Sequence, residues 1–267
     1  KHSGMSAIKP DNADKSPAHN SLARDAGAPP AGLRVDGVAL VRDGRLVQNA
    51  LSLAMVPGEV TLLRGPNGSG KSTLLDLIAG RREPTHGSLL LGETVHIGYL
   101  DQHTEAFNEG KGLDRKVIEF VEEAASRIDL GGEQVTASQL LERFLFPPAQ
   151  QHSPLAKLSG GERRRLTLCR MLIQAPNVLL LDEPTNDLDV ETLRALEDAV
   201  QAFPGSAMVI SHDRWFLDRI ATHILAYEDD GTVVFHEGNY SEYEEDRRAR
   251  LGRDADVPSR VKHRKLM

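Results

Sequence analysis

Two stretches of the chain carry residue types that can do chemistry. Val178-Leu179-Leu180-Leu181 has the length and apolar character of a buried strand, and it ends in two adjacent carboxylates, Asp182 and Glu183, ahead of Pro184. Two acids delivered to one strand end call for a cation, a proton or a bound phosphate beside them. The phosphate site lies upstream, where Gly65-Pro66-Asn67-Gly68-Ser69-Gly70-Lys71-Ser72-Thr73 contains a G-x-x-x-x-G-K-S pattern. Glycines let backbone N–H groups wrap phosphates, and the start of a following helix adds the positive end of its dipole. In this pattern Lys71 reaches the β- and γ-phosphates, and Ser72 ligates Mg²⁺.

The pattern needs a strand before it and a helix after it, and the sequence supplies both. Val60-Thr61-Leu62-Leu63-Arg64 reads as a buried strand, while Leu74, Leu75, Leu77 and Ile78 continue as a helix stopped at Gly80. Upstream, Leu33 to Met55 shows short strand patterns with a turn at Asp43-Gly44, closed by Pro57-Gly58. After Gly87 a strand pair, Ser88 to Leu91 and Val95 to Leu100, leads to Asp101-Gln102. Val117, Phe120, Val121, Ala124 and Ile128 recur at helical spacing, as do Leu140, Leu141, Phe144 and Leu145 before Pro147-Pro148, which predicts a helical insert beside the phosphate-binding core.

An Arg-rich helix is predicted from Arg163 to Gln174, with Arg163, Arg164 and Arg165 on a solvated face. Leu193, Leu196, Ala199, Val200 and Phe203 mark a further helix. Ala207 to Ile210 is a buried strand ending at Ser211-His212-Asp213, a hairpin follows around Asp229-Asp230-Gly231, and Ser241-x-x-Glu244 has the form of a capping box opening a last helix. This order of elements argues for an α/β fold with a mainly parallel central sheet.

Composition limits the classes open to the chain. Its 267 residues, 40% hydrophobic and 27% charged, suit one large domain or a core with a subdomain, and no apolar run has the length to span a bilayer. The one cysteine, Cys169, cannot form an internal disulfide, which fits a reducing cytoplasm, and its place in the Arg-rich helix suits a small buried hydrophobe. The net charge of -7 conceals an asymmetry: residues 247–267 carry +6 and the rest -13, so the end of the chain suits a polyanion or a solvated terminus. Residues 1–32, rich in Ala, Pro, Ser and Asp, are predicted to be a disordered leader or linker without an apolar signal segment. A start at Lys1 reads as a fragment, or as extra residues ahead of Met5.

Leu158-Ser159-Gly160-Gly161-Glu162 resembles the signature motif of ATP-binding cassette proteins. Carried onto this sequence, the resemblance makes Gly65 to Ser72 the Walker A loop, Gln102 the Q-loop glutamine, Val178 to Asp182 the Walker B strand, Glu183 the catalytic glutamate, Asn186 to Asp189 the D-loop and His212 the switch histidine. It covers roughly residues 33–240 and implies a P-loop cassette with an N-terminal antiparallel β subdomain. A helical subdomain would span about 103–176, and 241–267 would form a basic helix and tail. Glu183-Pro184-Thr185-Asn186-Asp187-Leu188-Asp189 and Ser211-His212-Asp213-Arg214-Trp215-Phe216-Leu217-Asp218-Arg219 are similar to the ABC-F branch, soluble ATPases of which several bind ribosomes. Leu193 onward most resembles the second cassette of energy-dependent translational throttle proteins, and residues 116–176 look closer to Uup-like members. Two departures stand out: members of this branch usually carry two cassettes, and Arg42 occupies the position of the aromatic residue that stacks on adenine, where a guanidinium plane can stack instead.

The resemblance implies ATP and Mg²⁺ as ligands. Gly65 to Thr73, with Arg42, would bind ATP; Ser72, Gln102 and Asp182 would hold the metal; Lys71, Glu183 and His212 would serve catalysis. Ser159, Gly160, Gly161 and Glu162 would cap the ATP of a second cassette, either another copy or a missing first cassette. The implied function is a cytoplasmic ATPase acting on the ribosome, with rRNA as the polyanion. A transporter's nucleotide-binding subunit, or a protein that binds ATP without turnover, stands as an alternative, the latter opposed by the presence of both Asp182 and Glu183.

Overall fold

The computed structural model describes residues 33–42, 45–101, 112–130, 132–186, 188–228 and 233–252. The expected leader, Gln102 and the charged segment after Gly252 lie outside the described residues. Strands β1 (Leu33–Arg42) and β2 (Arg45–Met55) pair antiparallel, with Leu33 opposite Met55 and Arg42 opposite Arg45. Strand β3 (Val60–Arg64) runs through the glycine-rich loop into helix α1 (Lys71–Ile78), which ends at Ala79 before Gly80 turns into the left-handed region.

The expected strand pair after Gly87 does not form. Strand β4 (His86–Leu91) pairs antiparallel with β1, while β5 (Ile97–Leu100) joins a different sheet, parallel to β8 (Val178–Asp182). Two apolar strands in succession carry no record of which partner each will take, and here the choice falls to β1 and β8.

The insert is also less helical than its periodicity predicts. Helix α2 (Val117–Glu122) stops early, and Ile128 lies in a hairpin of β6 (Arg127–Leu130) and β7 (Glu133–Thr136). Thr136 then caps helix α3 (Ala137–Arg143), accepting a hydrogen bond from Gln139 N–H. Pro147-Pro148 starts the single turn α4 (Pro148–Gln151), with Pro148 in the first helical turn where its missing N–H costs nothing. Apolar positions in a small layered insert fall at helical spacing by chance as easily as by rule, because a strand's buried side chains can continue the count.

A 3-10 turn at Leu155–Lys157 precedes helix α5 (Gly160–Ile173), which starts three residues earlier than expected because Ser159 caps it. After β8 come helix α6 (Val190–Gln201), strand β9 (Ser206–Ile210), helix α7 (Arg214–Ile220), strands β10 (His223–Tyr227) and β11 (Val233–Glu237), and helix α8 (Tyr240–Leu251). The cap of α8 is Asn239 with Glu242, two residues before the expected Ser241 box, since Asn239 accepts from Glu242 N–H and returns its own N–H to the Glu242 carboxylate.

The central sheet has the order β11-β10-β3-β9-β8-β5, parallel except for β11. Alternation along its strands divides the core in two. Leu63, Val178, Leu180 and Met208 face α1 and the β1–β2 strands. Leu62, Leu179, Leu181 and Val209 face the other way, toward α5, α6, α7 and the insert. Every residue of β8, β9 and β10 is buried, so these strands read as continuous apolar runs. Cys169 sits in this core, where burial pushes its thiol pKa up. Among the described residues no helix is long and apolar enough to cross a membrane.

Candidate functional site

The loop between β3 and α1 is shaped by its glycines. Gly65 has φ +153°, and a Cβ there would lie 2.7 Å from the Tyr227 Cβ. Gly70 adopts φ +97° and caps α1. Within this turn Lys71, 8% exposed, curls back so that its ammonium donates to the carbonyls of Gly65 (2.7 Å) and Pro66 (3.0 Å). Burial lowers the Lys71 pKa, Glu183 and Asp182 oppose that, and Arg64 adds to it. Asn67, Gly68 and Ser72 are exposed, Pro66, Gly70 and Thr73 half-buried, and Ser69 buried.

Strand order brings three other groups to this rim. Strand β9 lies between β3 and β8, and all three are parallel, so the loop, His212 and the two acids leave the sheet from one edge. Asp182 is 4% and Glu183 5% exposed. Burial raises the Asp182 pKa, a hydrogen bond from the Ser72 hydroxyl opposes it, Asp76 and Asp101 add to it, and Lys71 pulls it down. Among the described residues, Asp182 Oδ1 and Glu183 Oε2 are buried without a hydrogen-bond partner. Unsatisfied hard oxygens beside a serine hydroxyl suit Mg²⁺, which takes one or two protein oxygens together with substrate phosphates.

Glu183 is held in an unusual backbone state. Its φ is +50°, a conformation that costs a non-glycine residue about 1–3 kcal/mol. Its N–H donates to the Ile210 carbonyl (2.8 Å), and its own carbonyl accepts from Arg164 Nη2. The turn aims the carboxylate at His212, whose Nε2 lies 3.3 Å from Glu183 Oε1 and whose side chain is 69% exposed. Burial raises the Glu183 pKa, His212 opposes that, and Asp182 adds to it. A carboxylate with a raised pKa at an open rim is suited to hold a water and share its proton.

The expectation of a solvated arginine face on α5 is wrong. Arg164 buttresses Glu183 as described, and Arg165 bonds Asp189 Oδ2 (3.2 Å) and Thr192 Oγ1 (2.9 Å) with its guanidinium over the Phe146 ring. Three arginines in a row cannot share one side of a helix at 100° per residue, and here the β8 turn takes Arg164 and α6 takes Arg165. Nothing in the sequence separates these arginines from a solvated run on a helix face.

The signature residues stand apart from the loop. Ser159 and Gly160 are exposed at the start of α5. Ser159 N–H and Gln150 Nε2 donate to the Glu162 carboxylate at 2.7 and 2.6 Å, and these bonds hold the Glu162 pKa below the usual range. Among the described residues none of their hydrogen bonds reaches the glycine-rich loop, so the structure does not bring Ser159, Gly160, Gly161 and Glu162 together with Lys71. Asp189 caps α6. Arg42 ends β1, and its side chain falls outside the described part of the structure, as does Gln102.

A protein-family model described as ABC transporter matches residues 48–186. The chain is 47% identical over 222 residues to the energy-dependent translational throttle protein EttA of Escherichia coli O6:H1, covering 83% of this chain and 39% of that protein. It is 44% identical over 220 residues to the uncharacterized ABC transporter ATP-binding protein YfmR of Bacillus subtilis, covering 82% of this chain and 34% of that one. The chain thus spans well under half the length of these curated relatives. Among solved structures, an ATP-binding subunit of an ABC transporter matches with a TM-score of 0.65 at 19% identity, over 83% of this chain and 93% of that one, a likeness of fold.

Proposed function

The chain belongs to the ATP-binding cassette family, on its ABC-F branch, and from that premise we propose that it is the ATP-hydrolysing cassette of a cytoplasmic protein acting on the ribosome. The observation that carries the reading is the meeting of Lys71, Ser72, Asp182, Glu183 and His212 at one edge of the sheet. The loop from Gly65 to Thr73 wraps the phosphates, and Lys71 exchanges its two carbonyl partners for phosphate oxygens. Ser72 and Asp182, with Gln102, would hold Mg²⁺, which would neutralise charge on the phosphates. Glu183 orients the attacking water and takes up its proton, His212 contacts the γ-phosphate side, and Arg164 keeps the Glu183 turn in place. By the resemblance alone, Arg42 takes the position of the residue that stacks on the base.

The exposed cap of α5 fits the other half of such a site. Ser159, Gly160, Gly161 and Glu162 close over ATP on a second cassette, a further copy or another cassette of the same protein. The excess of Lys and Arg after residue 246 is suited to the phosphates of rRNA. The test couples phosphate release with light scattering. Glu183→Gln should keep ATP binding, lose at least roughly a hundredfold in turnover and accumulate an ATP-dependent dimer. Undiminished phosphate release in that variant overturns the assignment. Co-sedimentation with ribosomes should weaken steeply as salt rises, and a salt-independent or absent association counts against the ribosomal reading.

A further inference from the structure

Arg64 is the last residue of β3 and the residue immediately before the glycine-rich loop, and its side chain leaves the loop for the C-terminal helix. Its Nη2 lies 2.7 Å from Glu244 Oε1, and its Nη1 donates to the Tyr243 hydroxyl at 3.2 Å. The guanidinium also sits over two rings of α8, 5.1 Å from the centroid of Tyr243 and 5.8 Å from that of Tyr240. These contacts are sheltered: Tyr243 is fully buried, and the Arg64 and Glu244 side chains are 25% and 12% exposed.

The same helix grips the neighbouring strand. Ala226 of β10 is in register with Arg64, Tyr227 packs on Gly65, and Glu228 follows. The Glu228 carboxylate accepts from the Tyr243 hydroxyl at 3.0 Å and lies 3.5 Å from both Arg247 and Arg250. Gly65 is therefore bracketed, by Arg64 tied to α8 on the chain side and by Tyr227, whose successor is tied to α8, on the packing side. Neither tie is needed to complete the sheet, since β3 and β10 already pair along their length.

We propose that Arg64 is a positioning residue for the phosphate loop, anchored by Tyr243 and Glu244, so that the seating of α8 sets the loop's order and its affinity for nucleotide. Arg64 lies near enough to Lys71 to act on it electrostatically. Its charge is directed to Glu244 while α8 is docked, which keeps a second unpaired cation out of the loop. Because α8 continues directly into the Lys- and Arg-rich end of the chain, a polyanion engaging that end has a physical route to the nucleotide site.

The test compares the full chain with Arg64→Met, Arg64→Lys, Tyr243→Phe and Glu244→Gln, chosen to keep shape so that the protein folds. The first readout is hydrogen exchange of the amides of residues 65–73 without nucleotide, with residues 137–146 as an internal reference. Glu244→Gln and Arg64→Met should raise exchange in the loop by about fivefold, with Arg64→Lys restoring most of the protection and the reference segment unmoved. The second readout is affinity for ATP, expected to fall by a similar factor, about fivefold, while turnover at saturation changes less than about twofold. Unchanged loop exchange in both Arg64→Met and Glu244→Gln overturns the proposal, as does an equal rise in the reference segment. This inference rests on the loop being a nucleotide site; a wild-type chain that binds no ATP would remove that reading, while the exchange data would still decide whether α8 orders the loop.

Discussion

Lys71 and Glu183 both carry a buried charge at the same edge of the sheet, and the protein supports them by opposite means. Lys71 is served by its own turn: both carbonyls that accept from it, those of Gly65 and Pro66, lie within six residues. Glu183 is served by distant segments: the Ile210 carbonyl from β9, the Arg164 guanidinium from α5 and the His212 ring beyond β9. A pocket for phosphate needs several N–H groups at fixed spacing, which a short stretch of backbone can provide alone. A carboxylate that must act on water needs its pKa and its aim set by neighbours, and those come from whatever the fold packs against it.

Each arm of that contrast can be broken separately. The largest effect is expected from Gly65→Ala, which forces a side chain into the Tyr227 contact at a backbone angle that L residues rarely adopt. ATP affinity should fall by roughly tenfold to a hundredfold with the circular dichroism spectrum unchanged. Wild-type affinity there would mean that the loop is remade by its surroundings after all.

Arg164→Met attacks the other arm. With the Glu183 carbonyl unsupported, the strained turn relaxes, and turnover should drop by about tenfold while ATP affinity stays level. A fall in affinity without loss of turnover would place Arg164 with the binding loop rather than with the acid.

The smallest effect is on stability. Burial holds the Glu183 carboxyl above its usual value of 4.5, so the native state keeps a proton that the unfolded chain has released. Stability therefore falls as pH rises from about 4.5 through the folded value, and the penalty is complete only above that value. Glu183→Gln removes the penalty, so its thermal midpoint should exceed that of the wild type at neutral pH, with the gap closing in acid. A gap that widens in acid would show that the carboxylate is stabilised where it sits.

Much of this site was legible without coordinates. The strand, glycine loop and helix from Val60 to Ile78 follow from residue type and order, since a left-handed turn, a buried strand and a helix start each leave a local signature. The apolar run into Asp182-Glu183 and the burial of Cys169 could be read in the same way. Arg163 to Arg165 could not, because a charged side chain on a helix carries no mark of whether water or another segment will meet it.

The sequence by itself determined the chemistry available and the local backbone that holds it: the loop, the acids, the histidine after a buried strand and the family to which they point. Only the tertiary structure decided the company those groups keep. It placed β9 between β3 and β8 so that His212 meets Glu183, sent β4 and β5 to different sheets, turned Arg164 onto the acid's backbone and tied Arg64 to α8. The reason is physical. Turn, cap and strand preferences are fixed within a few residues, whereas strand order and the pairing of buried charges depend on which surfaces meet once the whole core is packed.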